Sequence, residues 1–254
     1  MDYIEKNREV WNRHVKDGYI WTKPVSGEDI QKARHGDWSL LLTPEKPIPR
    51  DWFPADIAGK KILLIAGGGG QQGPILSALG ADVTVFDNSP AQLAQDEMVA
   101  QREGLQIRMV QGNMQDLSAF ADESFDFIMQ FAGVFVDSVL PVWREAYRVL
   151  RKGGAMIAGH NSPVEFIFDT RSMELDEELV VRHSIPYSDL TSLSREECEQ
   201  ITAEEGICFG HSMEDLLQGQ IAAGFLIAGF YEDYGYGILN NYISTFFATK
   251  AIKL

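Results

Sequence analysis

The segment LLIAGGGGQQGP, Leu63 to Pro74, sets four consecutive glycines directly after an apolar run. Glycine loses more backbone freedom on folding than any other residue, so such a cluster needs a chain that turns sharply or lies against something. The preceding KILLIA reads as a buried strand, and the residues from Gln72 to Leu79 read as a helix. A strand, a glycine turn and a helix N-terminus in that order bring backbone N–H groups close to a ligand, with a nucleotide-like cofactor as the natural occupant.

The rest of the chain repeats this alternation. DVTVFD, IRMVQ, FDFIMQF and AMIAGH follow as strands, with helices over Pro90 to Glu103 and Val139 to Leu150, which implies βαβ units and a mainly parallel sheet. Residues 1–57 read as an N-terminal cap or extension. They hold an amphipathic start, a helix capped by Ser26, and LLTPEKPIPRDWFP, whose prolines bar both a regular helix and a central strand. Residues 58–254 read as the core of one domain overall, with an insertion around 161–210. Within that insertion LVVRHSIPYS is a strand candidate and REECEQITAEEG a helix candidate; Ser212 then caps MEDLLQGQIAAG. FLIAGFYED and YISTFFATKAI close the chain as an antiparallel pair, because the connection between them is too short for a crossover helix.

Charge narrows the partners. The 254 residues carry 22 Lys+Arg against 37 Asp+Glu, a net charge of −15, which repels a nucleic-acid backbone and an anionic membrane surface. Cys198 and Cys208 have no metal-ligand or CxxC spacing and read as reduced thiols; no metal is expected. The charged N-terminus lacks an apolar h-region, and no later window approaches a membrane span, so the expectation is a soluble cytoplasmic protein. The cap and the Gly/Tyr-rich terminal loop are plausible surfaces for a homo-oligomer.

Asp87 ends the second strand, nineteen residues after Gly68, where a carboxylate can accept hydrogen bonds from both ribose hydroxyls. Gly68, Gly70 and Gly73 spell GxGxxG, which by itself leaves the cofactor open between a dinucleotide and another nucleoside. Three features further on bear on the choice: a GN turn at Gly112–Asn113 after the third strand, the helix ending RVLRKGG before the fifth, and the closing strand pair. Together they resemble the class I S-adenosylmethionine-dependent methyltransferases, and most closely a bacterial group of small methyltransferases of the Methyltransf_11 type. The resemblance runs nearly the whole length, through WTKPVS, LTPEKPIPRDWFP, GGGQQGPILSALGADVTVFDNSPAQL, VLPVWREAYRVL, IPYSDL and the GHSMED to GFYED series.

That resemblance implies a Rossmann-like α/β fold: a mostly parallel seven-stranded sheet with an antiparallel last strand, helices on both faces and an N-terminal helical cap. It implies S-adenosylmethionine as cofactor, S-adenosylhomocysteine as product, and a small-molecule methyl acceptor. It also distributes roles. Ala66, Gly67 and Gly68 pass beneath the methionine part and ribose, and Gln71 and Gln72 open the helix facing the cofactor. Asp87 holds the ribose hydroxyls, Asn88 flanks the adenine, Asn113 and the backbone of Met114 meet its amino group, and Gln130 and Phe131 line the reaction cleft. The chain departs from the broad pattern at Leu64 and Ala66, at Asn113 in place of Asp, and in the QFAGVF stretch after the fourth strand.

Methyl transfer from a sulfonium requires alignment and exclusion of water more than a catalytic side chain, although a hydroxyl or ammonium acceptor must lose a proton. His160, at the carboxyl edge after the fifth strand, is the candidate base. His211 is a helix-start residue and a substrate or lid candidate, as are Tyr19, Trp21 and Tyr187, whose rings could close over the cleft. Glu214, Asp215, Gln218 and Gln220 could meet a polar substrate or form a solvated helix face. Two other classes stay open: an NAD(P)-dependent oxidoreductase using the literal GxGxxG, and a catalytically silent protein that binds S-adenosylmethionine or S-adenosylhomocysteine.

Overall fold

In the computed structural model, which describes residues 2–131 and 133–254, Lys61–Ile65 forms β1, and every residue after Lys61 is buried. A strand with such a continuous apolar run must be flanked on both edges and covered on both faces. β2 (Asp82–Asp87) and β4 (Phe125–Gln130) supply the edges, with Leu63 opposite Thr84 on one side and Ile128 on the other. Side chains alternate across the sheet. Ile62 and Leu64 join a core with Val83, Val85, Phe127 and Met129, while Leu63 and Ile65 join a second with Phe86, Ile128 and Trp143.

The other strands are β3 (Ile107–Gln111), β5 (Leu150–Asn161), β6 (Phe225–Asp233) and β7 (Phe246–Lys253). The sheet runs β3-β2-β1-β4-β5-β7-β6; its first five strands are parallel, and β7 lies antiparallel between β5 and β6. Strand order reverses between β1 and β4. The carboxyl ends there open a crevice at the topological switch point of the sheet, where open α/β sheets bind ligands.

Helices α1 (Tyr3–Asp17) and α2 (Gly27–Arg34) belong to the N-terminal segment, followed in the core by α3 (Gln72–Ala78), α4 (Pro90–Glu103) and α5 (Leu140–Val149). Asp2 caps α1, and Ser26 caps α2 in a reciprocal box with Asp29. α1 packs over α4 and α2 over α3, so the N-terminal segment crosses the same sheet edge as the glycines. The proline-rich stretch forms only a 3-10 turn at Arg50–Trp52 and a bridge between Leu41 and Pro47.

Residues 161–210 fold irregularly, with short helices at Thr170–Leu175 and Asp189–Ser192 and a longer one at Arg195–Glu204. Leu179–Ser188, which reads as one strand in sequence, forms only a bridge at Val181 and a two-residue ladder of Tyr187–Ser188 with Phe209–Gly210. Pro186 lacks an N–H donor, and Val180 and Val181 are exposed, so there is neither a ladder nor a buried face to extend. No helix among the described residues is long and apolar enough to cross a membrane.

Glu214–Gln218 begins the helix that continues to Ala223 as a π turn, with the Asp215 N–H donating to Ser212 Oγ at 3.0 Å. This helix lies so close to α5 that a Cβ on Gly219 would meet Leu140 at 2.7 Å and Trp143 at 3.0 Å. Trp143 is fully buried and donates Nε1–H to the Asp215 carbonyl at 3.0 Å. Trp143→Ala is therefore expected to lower stability by about 3–5 kcal/mol in urea denaturation. A loss below about 1 kcal/mol would contradict this docking.

Candidate active site

The backbone after β1 turns sharply. Ala66 takes a left-handed φ of 53°, and Gly69 and Gly70 take φ of 117° and 72°. The conformation is accessible to glycine and strained for alanine. Gly67 and Gly68 have ordinary dihedrals but no room: a Cβ would meet Leu64 at 2.8 Å in the first case and Gln92 at 2.8 Å in the second.

Two carboxylates hold the loop. Asp87 Oδ2 accepts from Gly68 N–H at 3.0 Å, and its Oδ1 accepts from Ser89 N–H at 2.8 Å. Each oxygen keeps a lone pair free for a further donor. Asp96, fully buried on α4, accepts from both Gly69 N–H and Gly70 N–H at 3.0 Å through one oxygen. Sequence reading missed Asp96, since nothing in a polar helical stretch marks the one acidic residue that turns inward.

The loop floors a cavity of about 1070 Å³ at the switch point. Ala66, Gly67, Gly68, Gln71 and Gln72 line it, as do Asp87 and Asn88 after β2 and Asn113 and Met114 after β3. Phe131 lines it after β4, His160 at the end of β5, and Tyr19, Trp21 and Tyr187 from the flanking segments. Gln130 and His211 are outside this lining. Gln130 is fully buried behind it with Nε2 directed to the Phe131 carbonyl, and His211 Nε2 donates to the Gly133 carbonyl at 3.0 Å. The QFAGVF stretch is described except for Ala132.

Several polar groups that face the cavity also fasten the N-terminal segment over it. Asn88 Nδ2 donates to the Ile4 carbonyl at 2.8 Å, and Gln71 Nε2 to the Lys23 carbonyl at 3.0 Å. Asn12 Oδ1 receives Ser89 Oγ–H at 2.8 Å, and Asn7 bridges α1 to Ile207 through both its amide atoms. Trp11 packs edge-on to Phe135, with ring centroids 5.5 Å apart, and Tyr19 stacks on His14 at 4.4 Å. Asn7, Asn12 and Trp11 were invisible as site residues in the sequence, where α1 shows only an amphipathic start.

His160 is nearly buried, stacked on Phe247 at 4.6 Å, with Nε2 3.2 Å from Thr249 Oγ1. Burial, with a smaller contribution from His211, pushes its pKa down to about 3. The imidazole is therefore neutral near pH 7 and a weak proton acceptor there. Tyr187 donates its hydroxyl to Asp189 at 2.7 Å, and burial raises its pKa well above the usual tyrosine range.

Burial raises Asp96 from 3.8 to about 7 and Asp87 from 3.8 to about 6, with the Asp87 charge adding to the shift at Asp96. Asp96 Oδ1 and Gln92 Oε1, on residues one helical turn apart, are buried acceptors without a donor among the described residues. A proton on Asp96 Oδ1 converts one of the two into a donor. An acid whose folded pKa is raised gives stability that is fully present below its unfolded pKa of about 4 and is lost as pH rises through its folded value. Asp96→Asn supplies an N–H donor at every pH. It is expected to flatten the decline in melting temperature between about pH 4 and 7. A variant whose stability falls with pH as steeply as the wild type's would contradict protonation of Asp96.

Similarity to known proteins agrees with this geometry. A family model described as a methyltransferase domain matches residues 63–158, from β1 through most of β5. The uncharacterised methyltransferase YbaJ of Bacillus subtilis (strain 168) is 50% identical over 253 residues, covering 99% of this chain and 98% of that protein. Among solved structures, an S-adenosylmethionine-dependent methyltransferase from Mesorhizobium loti superposes with a TM-score of 0.62 at 16% identity, covering 80% of this chain and 94% of that one. One from Methanosarcina mazei gives 0.55 at 19% identity, covering 80% and 95%. The strand order, the glycine turn above Asp87 and the near-complete relative together place this chain in the class I methyltransferase family, whose cofactor is S-adenosylmethionine.

Proposed function

We propose that the protein transfers a methyl group from S-adenosylmethionine to a small molecule enclosed in the same cavity. The observation that carries this reading is the continuity of that cavity. It begins at the glycine turn and Asp87 and runs beneath the N-terminal segment to the side chains of residues 161–210. At about 1070 Å³ it lies at the upper end of small-molecule sites, which span roughly 300–1,000 Å³. Its roof, together with the net charge of −15, disfavours a nucleic-acid acceptor.

In this reading Asp87 accepts hydrogen bonds from the ribose hydroxyls. Asn88, Asn113 and Met114 bound the adenine; Ala66, Gly67, Gly68, Gln71 and Gln72 bound the methionine portion. Phe131 faces the reacting end, and Gln130 fixes the strand that presents it. His160 is a wall and a hydrogen-bonding group rather than the base, because its proton affinity is too low near pH 7. When bound, the cofactor supplies an electrophilic methyl group on sulfur; the chain aligns the acceptor and excludes water. Tyr19, Trp21 and Tyr187 serve the second task.

The dinucleotide reading of GxGxxG is not favoured. Calorimetric titration with S-adenosylmethionine, S-adenosylhomocysteine and NADH separates the two. Binding of the first two at about −8 kcal/mol, weakened at least about tenfold by Asp87→Ala, is the expected result. Binding of NADH alone, or equal affinity in the variant, would overturn the assignment.

A further inference from the structure

Charge in the cavity lining is mixed on one side and acidic on the other. Its lysines and arginines, Arg8, Lys23 and Lys32, come from the N-terminal segment, which also contributes Asp29 and Asp37, on the side that clasps the glycine turn. Residues 161–210 contribute Glu165, Glu174, Asp189 and Glu205 to the lining, and no lysine or arginine. These carboxylates act on common neighbours: after burial itself, Asp189, Glu205 and Glu165 all push the Cys208 thiol upward. Asp189 accepts from the Tyr187 hydroxyl at 2.7 Å and the Cys208 N–H at 2.6 Å, one donor on each oxygen, so both of its oxygens are already engaged with the fold. Glu174 and Glu205 are exposed, at the rim, and neither has an ion-pair partner among the described residues.

Glu165 is different. Asn161 Nδ2 donates to its Oε2 at 2.7 Å, and no described residue donates to Oε1. It stands just beyond the end of β5, on the cavity wall with Phe166 and Tyr187, whose rings lie 5.5 Å apart. A carboxylate with one neutral partner, on the wall of a cavity that Phe166, Phe168 and Tyr187 also line, can take a cation. Carboxylate and aromatic ring faces both attract an organic cation and give an anion nothing to bind.

We infer that the methyl acceptor is an organic amine that enters as its ammonium ion and is held by Glu165 against the aromatic wall of Phe166, Phe168 and Tyr187. The inference rests on the methyltransferase reading of the cavity and adds the chemical class of its substrate. The rim carboxylates of Glu174 and Glu205 draw the cation in, as the acidic surface does at longer range. Inside, Glu165 accepts one proton from the ammonium group, leaving a neutral carboxylic acid and a neutral amine with its lone pair free. Burial raises Glu165 to about 7, the direction that equips a carboxylate to take a proton. The same desolvation favours the neutral amine.

The test uses the full chain saturated with S-adenosylhomocysteine and titrated calorimetrically with three probes of similar size: phenethylamine, phenethyl alcohol and hydrocinnamate. The amine is expected to bind at least about tenfold tighter than the alcohol, and the carboxylate more weakly than either. Glu165→Gln is expected to remove the preference for the amine while leaving alcohol binding and S-adenosylhomocysteine affinity unchanged. Glu165→Asp, which keeps the charge, is expected to restore part of the preference. Equal affinity for amine and alcohol, tightest binding of the carboxylate, or an unaltered preference in Glu165→Gln would overturn the inference. Loss of S-adenosylhomocysteine binding in the wild type would instead overturn the methyltransferase reading on which it stands, whereas retention of that binding without an amine preference overturns the substrate class alone.

Discussion

Three successive backbone N–H groups, of Gly68, Gly69 and Gly70, end on two carboxylates, Asp87 and Asp96, each at 3.0 Å. Those bonds set the path of the chain between β1 and α3, and that path sets the floor of the cavity. Asp87 stands on the next strand and Asp96 on the following helix, so the loop is referenced to two elements of the sheet scaffold. Burial, with the Asp87 charge adding to it, raises the proton affinity of Asp96, which couples the shape of the loop to protonation. The glycines are required because Gly69 and Gly70 sit at positive φ and Gly67 and Gly68 lack space for a Cβ.

On that floor two unrelated segments build one chamber. α1 and the residues after it are tied down by Asn88, Ser89 and Gln71, polar groups beside the glycine turn. Residues 161–210 close the other side with little regular structure and with acidic and aromatic side chains. Asn7 joins the two by bonding both the carbonyl and the N–H of Ile207. The N-terminal side of the chamber lining carries both charges, whereas the 161–210 side carries carboxylates and no lysine or arginine.

The sheet was legible because its strands are short apolar runs separated by helix signals: KILLIA, DVTVFD, IRMVQ and FDFIMQ appear in the structure within a residue of their sequence limits. The glycine turn and Asp87 were legible because backbone restriction and a strand-end carboxylate are local properties. Asp96 and Asn7 were not, since their significance lies in burial against distant segments that no periodicity encodes. The strand expected at Leu179–Ser188 fails for the converse reason: β-branched residues occur there without a sheet face to bury them. His160 shows the limit of reading chemistry from residue type. Its place at the carboxyl edge is as expected, while its burial, which with a smaller contribution from His211 lowers its pKa, depends on packing that residue type does not show.

In the proposed reading the glycine turn and Asp87 together hold the nucleoside of S-adenosylmethionine. A crystal structure grown with S-adenosylhomocysteine tests it directly. The account predicts ligand density over Ala66–Gly68 with the ribose hydroxyls on the Asp87 carboxylate and the sulfur toward Phe131. Density elsewhere on the protein, or a ribose that leaves Asp87 bonded only to Gly68 and Ser89, would contradict it.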